Sequence, residues 1–417
     1  MFSEVVVTGI GVHTSIGVGR NAFADALRSG ACGIAFEPSD GLGLAARTRV
    51  NFEEHLASLC LSQSTRSRAL KAGRRAPPSI QLSILSALEA WGQAFGPDAD
   101  ASAQPANIIV AGNNIAPGYQ HRMYAKFAAN PELIPASYSL HFLDTDHVGT
   151  LSEVLRTGAE GFTVGGASAS GNLAILQAWR QIRYGISSRC LVVGGMTDLS
   201  AVELQSFRNA GALGGTRYAD EPLLACRPFD TDREGFLYGQ GSACLVLESD
   251  DSAKARGAEI LGRIAGAACC LDANRLSNPS AEGEARAMRG ALEQAGIPSE
   301  SVDYVNAHGT SSIAGDEAET KALKELFGVH IGKVIVNATK GLTGHCLHAA
   351  GVVEAAATLL QMNRGFIHPN RNLNCPIDPC CRFAGPLAQD GEISVALSNS
   401  FGFGGINTSV VITRFGL

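Results

Sequence analysis

The chain has 417 residues, 45% of them apolar and 17% charged, with a formal net charge of −6. That balance describes a globular protein with a large interior, and without a basic excess to neutralise phosphates it excludes a general nucleic-acid binder. Length allows about two or three domains, or one large fused α/β core. Eleven cysteines lie without metal-ligand spacing, since "AACCL" and "DPCC" hold adjacent pairs and not CxxC modules. An odd count without a secretory leader points to reduced thiols in a cytoplasmic protein, mostly buried as small apolar side chains. "MFSEVVVTGIG" lacks the basic flank of a signal peptide, and no apolar run reaches the ~18 residues that cross a bilayer.

Taken in order, "EVVVTGIGV" (4–12) reads as a buried strand ending in a glycine turn. "RNAFADALRSG" (20–30) follows as a short amphipathic helix closed by Gly30. "NIIVAGNN" (107–114) is a second apolar strand. Strand "FTV", a helix from Gly171 to Tyr184 and strand "RCLVVGGM" form a βαβ unit. In that helix Leu173, Ile175, Leu176, Trp179 and Ile182 recur at helical spacing, so one face is core. "SACLVLES" (242–249), "VDYVNAHGT", "KVIVNATKG" and "EISVALSNS" are further strands, and "CLHAAGVVEAAATLLQMN" is a helix after the third of these four. Strands alternating with helices predict an α/β fold with ligands at the carboxyl ends of strands. Both halves are βα-rich, but residue identities alone establish no internal duplication.

Chemistry concentrates in four places. "TVGGASASGN" delivers Ser168 to the start of a helix, where backbone donors and the helix dipole favour negative charge. "NAHGTSSIAGDEAE" puts His308 just past a strand, followed by Thr310 and Ser312. "NATKGLTGHCLHAAG" puts Lys340 and His345 around a glycine turn that opens a helix, and "SNSFGFGGINTS" is a glycine-rich turn carrying Phe401 and Phe403. Taken singly, each has an ordinary structural reading: a hydrogen-bonding histidine, a loop serine, a hairpin.

Together, in this order, these stretches resemble the β-ketoacyl-acyl carrier protein synthases, or ketosynthases, of the thiolase superfamily. "VVVTGIGVHTSIGVGRNAFADALRSGACGI" is similar to their opening, "RPFDTDREGFLYGQGSACLVLE" to their central signature and "NSFGFGG" to their closing motif. The resemblance spans nearly the whole chain. It implies a five-layered αβαβα core built from two similar halves, 1–250 carrying Ser168 and 251–417 carrying His308, Lys340 and His345, usually in a homodimer. It implies further that His308 and His345 are the active-site histidines, with Lys340 between them. Phe403 would supply a second oxyanion-hole N–H beside that of residue 168, with its ring gating the pocket. Glu319 and Glu354 would brace the site. Thr310, Ser312 and Phe401 would meet the substrate arm.

The sequence departs from that pattern most consequentially at residue 168, where the family has its nucleophilic cysteine. Gln240 and Ser242 in the central signature and Ser312 after "HGTS" are milder changes. A thiol has a pKa near ~8.5 that falls further at a helix N-terminus, whereas a serine hydroxyl needs a positioned base. The two histidines are expected to point at the malonyl thioester oxygen, not to deprotonate residue 168. Condensation is therefore disabled, while decarboxylation of malonyl-acyl carrier protein to acetyl-acyl carrier protein survives. With "GGASASGN" and "HFLDTDHVGTLSE", the chain resembles the stand-alone serine-for-cysteine decarboxylases of polyketide β-branching cassettes. Two alternatives stay open: an acyltransferase using Ser168 as nucleophile, and a non-catalytic partner of the chain-length-factor type. The implied partner is an acidic acyl carrier protein that brings its own phosphopantetheine, with no metal or organic cofactor besides. Its docking patch would comprise Lys71, Arg74 and Arg75, in "STRSRALKAGRRAP" with Arg66 and Arg68, together with Arg208.

Overall fold

A computed structural model describes residues 2–37, 43–49, 51–97, 105–275 and 278–416. The N-terminal half contributes strands β1 (Val5–Thr14), β2 (Asn107–Ala111), β3 (Gly161–Val164), β4 (Arg189–Gly194) and β5 (Gly241–Ser249). The C-terminal half contributes β6 (Gly262–Leu271), β7 (Tyr304–Asn306), β8 (Ile335–Asn337), β9 (Arg382–Phe383), β10 (Val395–Gly402) and β11 (Ile406–Thr413). All ten residues of β1 are buried. Its residues, mostly apolar and not alternating with polar ones, are what a strand covered on both faces requires.

These strands lie in one sheet in the order β9-β8-β7-β10-β11-β6-β1-β5-β4-β2-β3. Outward from the centre, β1-β5-β4-β2-β3 runs antiparallel, antiparallel, parallel, parallel. The other half, β6-β11-β10-β7-β8, has the same sequence of directions. The halves are joined by antiparallel pairing of Val6 with Arg263 and Val7 with Gly262. The duplication that residue identities did not establish is thus present in the strand topology.

Helices complete the layers. α1 (Pro78–Phe95) and α2 (Thr145–Leu155) cover the outside of the N-terminal half, and α4 (Ala281–Ala295) and α5 (Ile313–Phe327) the outside of the other. Between the halves lie α3 (Ser170–Arg183) and α6 (Ala350–Arg364), packed on each other and on strands of both. Ile175, Leu176, Trp179 and Ile182 of α3 are buried in this central layer, each such side chain contributing about 1.5–3 kcal/mol. α3 and α6 cross at glycines. A Cβ on Gly171 would lie 2.8 Å from Gly351 N and Cα, and one on Gly351 would lie 2.6 Å from Asn172 N. The crossing brings the starts of both helices to one place.

Candidate active site

Each central helix begins with a single 3₁₀ turn, Ala167–Ala169 before α3 and Leu347–Ala349 before α6. Each turn opens on a non-glycine residue in the left-handed region, Ala167 at φ 48° and Leu347 at φ 51°. Such backbone strain persists only where surrounding contacts hold it. At the first turn Ser170 Oγ accepts from the Gly166 N–H at 2.9 Å and donates to the Ala167 carbonyl at 2.7 Å. Ser168 is thereby held at the floor of a cavity of about 800 Å³, which His308, Thr310, Ser312, His345, Phe401 and Phe403 also line.

His345 Nε2 lies 2.9 Å from Ser168 Oγ, while its Nδ1 accepts the Leu347 N–H at 3.2 Å. An imidazole accepting at Nδ1 carries its proton at Nε2, so His345 donates to Ser168 and does not act as its base. This agrees with the expectation that the histidines do not deprotonate residue 168: the α3–α6 crossing sets the two turns side by side, and Ser168 takes the donor that a substrate oxygen would take. The central signature secures His345 from behind, since its N–H donates to the Leu237 carbonyl at 2.7 Å and its carbonyl accepts the Gly239 N–H at 3.0 Å.

His308 follows β7, its ring centroid 5.5 Å from that of His345 and nearly perpendicular to it. Lys340 Nζ lies 3.3 Å from His308 Nδ1, donates to the His308 carbonyl at 2.7 Å, and is ion-paired with Glu354. His308 Nδ1 is thus an acceptor, which again leaves the proton on Nε2. Burial, with Lys340 adding repulsion, pushes both histidines well below their ordinary pKa, and both rings are neutral donors at pH 7. Glu319 accepts the His308 and Gly309 N–H groups, each at 2.8 Å. Neither Glu319 nor Glu354 is a solvated helix carboxylate, at 1% and 2% exposure, and burial raises the pKa of both.

The closing turn places its two rings differently. Phe401, 7% exposed, packs at 5.6 Å on His308, whereas Phe403 is 44% exposed and lies at the mouth, 6.2 Å from Phe207. Phe401 is the last but one residue of β10, so the strand period directs its ring inside; Phe403 already belongs to the turn. Between them, a Cβ on Gly402 would lie 2.4 Å from the Gly166 carbonyl and 3.4 Å from Ser168 N. Only glycine lets this strand approach the Ser168 turn so closely. Thr310 and Ser312 share a hydrogen bond of 2.8 Å on the cavity wall.

The basic cluster divides. Arg66 donates to the Leu56 and Leu59 carbonyls and Arg68 to the Val154 carbonyl, so these two satisfy helix ends and are withdrawn from any docking patch. Lys71 and Arg74 are exposed and paired with Glu153 and Glu53 at 3.6 and 3.1 Å, and Arg75 is exposed beside them. Arg208 follows Phe207 of the cavity mouth on the helix Ala201–Asn209. Sequence reasoning passed over Phe236, which sits edge-on to His345 at 5.5 Å, and Glu284, which lines the cavity. Phe236 stands within the quoted central signature, which is the signal that finds it; Glu284 looks like any carboxylate of an amphipathic helix.

The chain belongs to the β-ketoacyl synthase family. Residues 2–253 match the model of the Beta-ketoacyl synthase, N-terminal domain, and residues 261–374 that of the Beta-ketoacyl synthase, C-terminal domain. Within the family, it is 39% identical over 409 residues to the polyketide biosynthesis malonyl-ACP decarboxylase PksF of Bacillus subtilis (strain 168), covering 98% of this chain and 96% of that one. It is 30% identical to 3-oxoacyl-[acyl-carrier-protein] synthase 2 of Coxiella burnetii (strain RSA 493 / Nine Mile phase I), covering 99% and 98%. Among solved structures, a beta-ketoacyl synthase from Burkholderia phymatum STM815 superposes with a TM-score of 0.83 at 30% identity, covering 99% of both chains. The ishigamide ketosynthase/chain length factor does so at 0.85 and 26%, covering 100% of both.

Proposed function

We propose that this protein decarboxylates malonyl-acyl carrier protein to acetyl-acyl carrier protein. The observation that carries the reading is the pair of neutral histidines whose Nδ1 atoms are both engaged by fixed donors, so that the Nε2–H of His308, and that of His345 once a substrate oxygen replaces Ser168 on it, serve one oxygen. With the malonyl thioester carbonyl between them, the C–C bond to the carboxylate breaks, carbon dioxide leaves, and the electron pair passes to the thioester oxygen as an enolate. Each donor aimed at that developing charge is worth about 3–4 kcal/mol. Phe236 and Phe401, beside the two histidines, give the departing carboxylate an apolar wall, which favours its loss as neutral carbon dioxide. The enolate then takes a proton, because residue 168 holds no acyl group for it to attack.

The 2.9 Å contact of Ser168 with His345 favours a second reading, an acyltransferase with Ser168 as nucleophile. The tautomer weighs against it, since the ring nitrogen at the hydroxyl already carries a proton. A chain-length-factor-like partner has no use for an intact histidine pair above an open cavity. The carrier brings malonyl on its own phosphopantetheine, whose arm passes Thr310 and Ser312, and docks by Lys71, Arg74, Arg75 and Arg208. The protein acts as a cytoplasmic homodimer supplying acetyl units to polyketide β-branching; no helix among the described residues is long and apolar enough to cross a membrane. The test is incubation with malonyl-loaded carrier while the carrier's mass is followed. Loss of carbon dioxide without a second acyl substrate is the expected result. An unchanged mass beside a working ketosynthase control, or a stable acyl adduct on the protein, would overturn the reading.

A further inference from the structure

Decarboxylation consumes a proton: the malonyl thioester carboxylate and one proton give the acetyl thioester and carbon dioxide. The histidine Nε2–H groups are committed to the enolate oxygen, so the carbon is to be protonated by another group. Three described carboxyl groups line the cavity, those of Glu203, Asp272 and Glu284. Glu203 closes the capping box at Ser200, accepting that residue's N–H at 2.8 Å. Asp272 accepts the Asn407 amide at 2.7 Å. Glu284 is 1% exposed, and its Oε2 has no hydrogen-bond partner among the described residues.

Its position follows from neighbours. On α4, Met288 Sδ lies 3.2 Å from Asn399 Nδ2 of β10. Asn399 and Phe401 project from the same face of that strand, and Glu284 stands one turn before Met288 on the same face of α4. At the adjoining Gly283 a Cβ would lie 2.7 Å from Asn407 Nδ2, and Asn407 is the sheet partner of Phe401. Glu284 is therefore toward the Phe401 end of the surface that α4 lays on the sheet, and both residues line the cavity.

We propose that Glu284 is the acid that protonates the enolate carbon, an assignment that rests on the decarboxylase reading. The Glu284 O–H bond breaks, its proton forms the third C–H bond of the acetyl methyl with the enolate C=C electron pair, and the thioester C=O is restored. Water in the cavity returns a proton to the carboxylate. The groups facing Glu284 favour its protonated form. Burial raises its pKa well above the carboxylate range, and Glu319 and Asp316 of α5 and Asp272 at the end of β6 add repulsion. Asn407 of β11 adds no charge, and Arg286 on its own helix turns outward to the Leu271 carbonyl.

Rates with malonyl-carrier for wild type, Glu284→Gln and Glu284→Ala test this. The glutamine, equal in shape but aprotic as an acid, should slow acetyl-carrier formation at least tenfold at unchanged KM. It should also increase incorporation of labelled carbon dioxide back into malonyl-carrier, because the enolate persists. The wild-type rate should fall as pH rises through the raised Glu284 pKa, and the glutamine variant should lose that limb. The alanine variant should regain rate on addition of acetic acid, more at lower pH. A glutamine variant with the wild-type rate and alkaline limb overturns the proposal, and so, without any variant, does a wild-type rate that stays flat into alkaline pH. If the wild type makes no acetyl-carrier at all, the decarboxylase reading itself falls.

Discussion

Ser168 Oγ accepts a hydrogen bond from His345, whose Nε2 already carries a proton and so does not serve as its base. That decides what removal of the hydroxyl does. Ser168→Ala leaves both histidines and the turn intact, so decarboxylation should stay within about tenfold of wild type, roughly 1.4 kcal/mol of barrier. His308→Ala and His345→Ala each remove one donor to the enolate oxygen and should cost ~100–1,000-fold. Ser168→Cys should become acylated by a thioester donor, seen as an increase in protein mass. An inactive but folded Ser168→Ala would return the assignment to a covalent serine. The pH profile follows from the same atoms. Because burial disfavours the imidazolium, both histidines stay neutral as pH falls through 6.5. The rate should therefore show no acidic inflection near 6.5, and should fall only at lower pH, once protonation of Nδ1 displaces the Leu347 and Lys340 donors.

Two elements, α3 and α6, hold the chemistry by crossing at Gly171 and Gly351, and each is led by a strained turn that carries or follows a reacting residue. A side chain at either glycine has backbone in its way. Gly351→Val should destabilise the protein by at least the 1–3 kcal/mol of core overpacking, read from denaturant midpoints. What folded protein remains should lose activity, because the Ser168 and His345 turns are pushed apart together. Glu319 acts on the neighbouring loop as a positioning residue, with one carboxylate oxygen for each of two consecutive N–H groups. A glutamine there keeps one acceptor and sets an NH₂ against the other donor.

At the scale of the whole molecule, the net charge of −6 makes a confined positive patch the natural docking point for an acidic partner. Lys71 and Arg74 spend part of their charge on Glu153 and Glu53. Exposed pairs of this kind are worth at most about 1 kcal/mol, so an incoming carrier can displace them. Reversal of Lys71, Arg74 and Arg75 to glutamate should raise KM for the carrier with little change in kcat. Added salt should mimic the effect, since exposed charges are screened over ~8–10 Å. An unchanged KM moves docking elsewhere on the surface.

What the sequence by itself determined is local. A strand, a small-residue turn and a helix are contiguous in the chain, so the turns could be located, and the resemblance to the ketosynthases singled out Ser168, His308, Lys340 and His345 on them. The parts only the tertiary structure decided depend on segments far apart. Whether Phe401 or Phe403 faces inward depends on where β10 ends. Glu284 looks solvated until α4 is laid on β6 and β11, and Arg66 and Arg68 look available until two helix ends claim them. The twofold relation between the halves was hidden for a different reason: it resides in backbone pairing, which many side-chain sequences satisfy equally, so it leaves no repeat of residues to read.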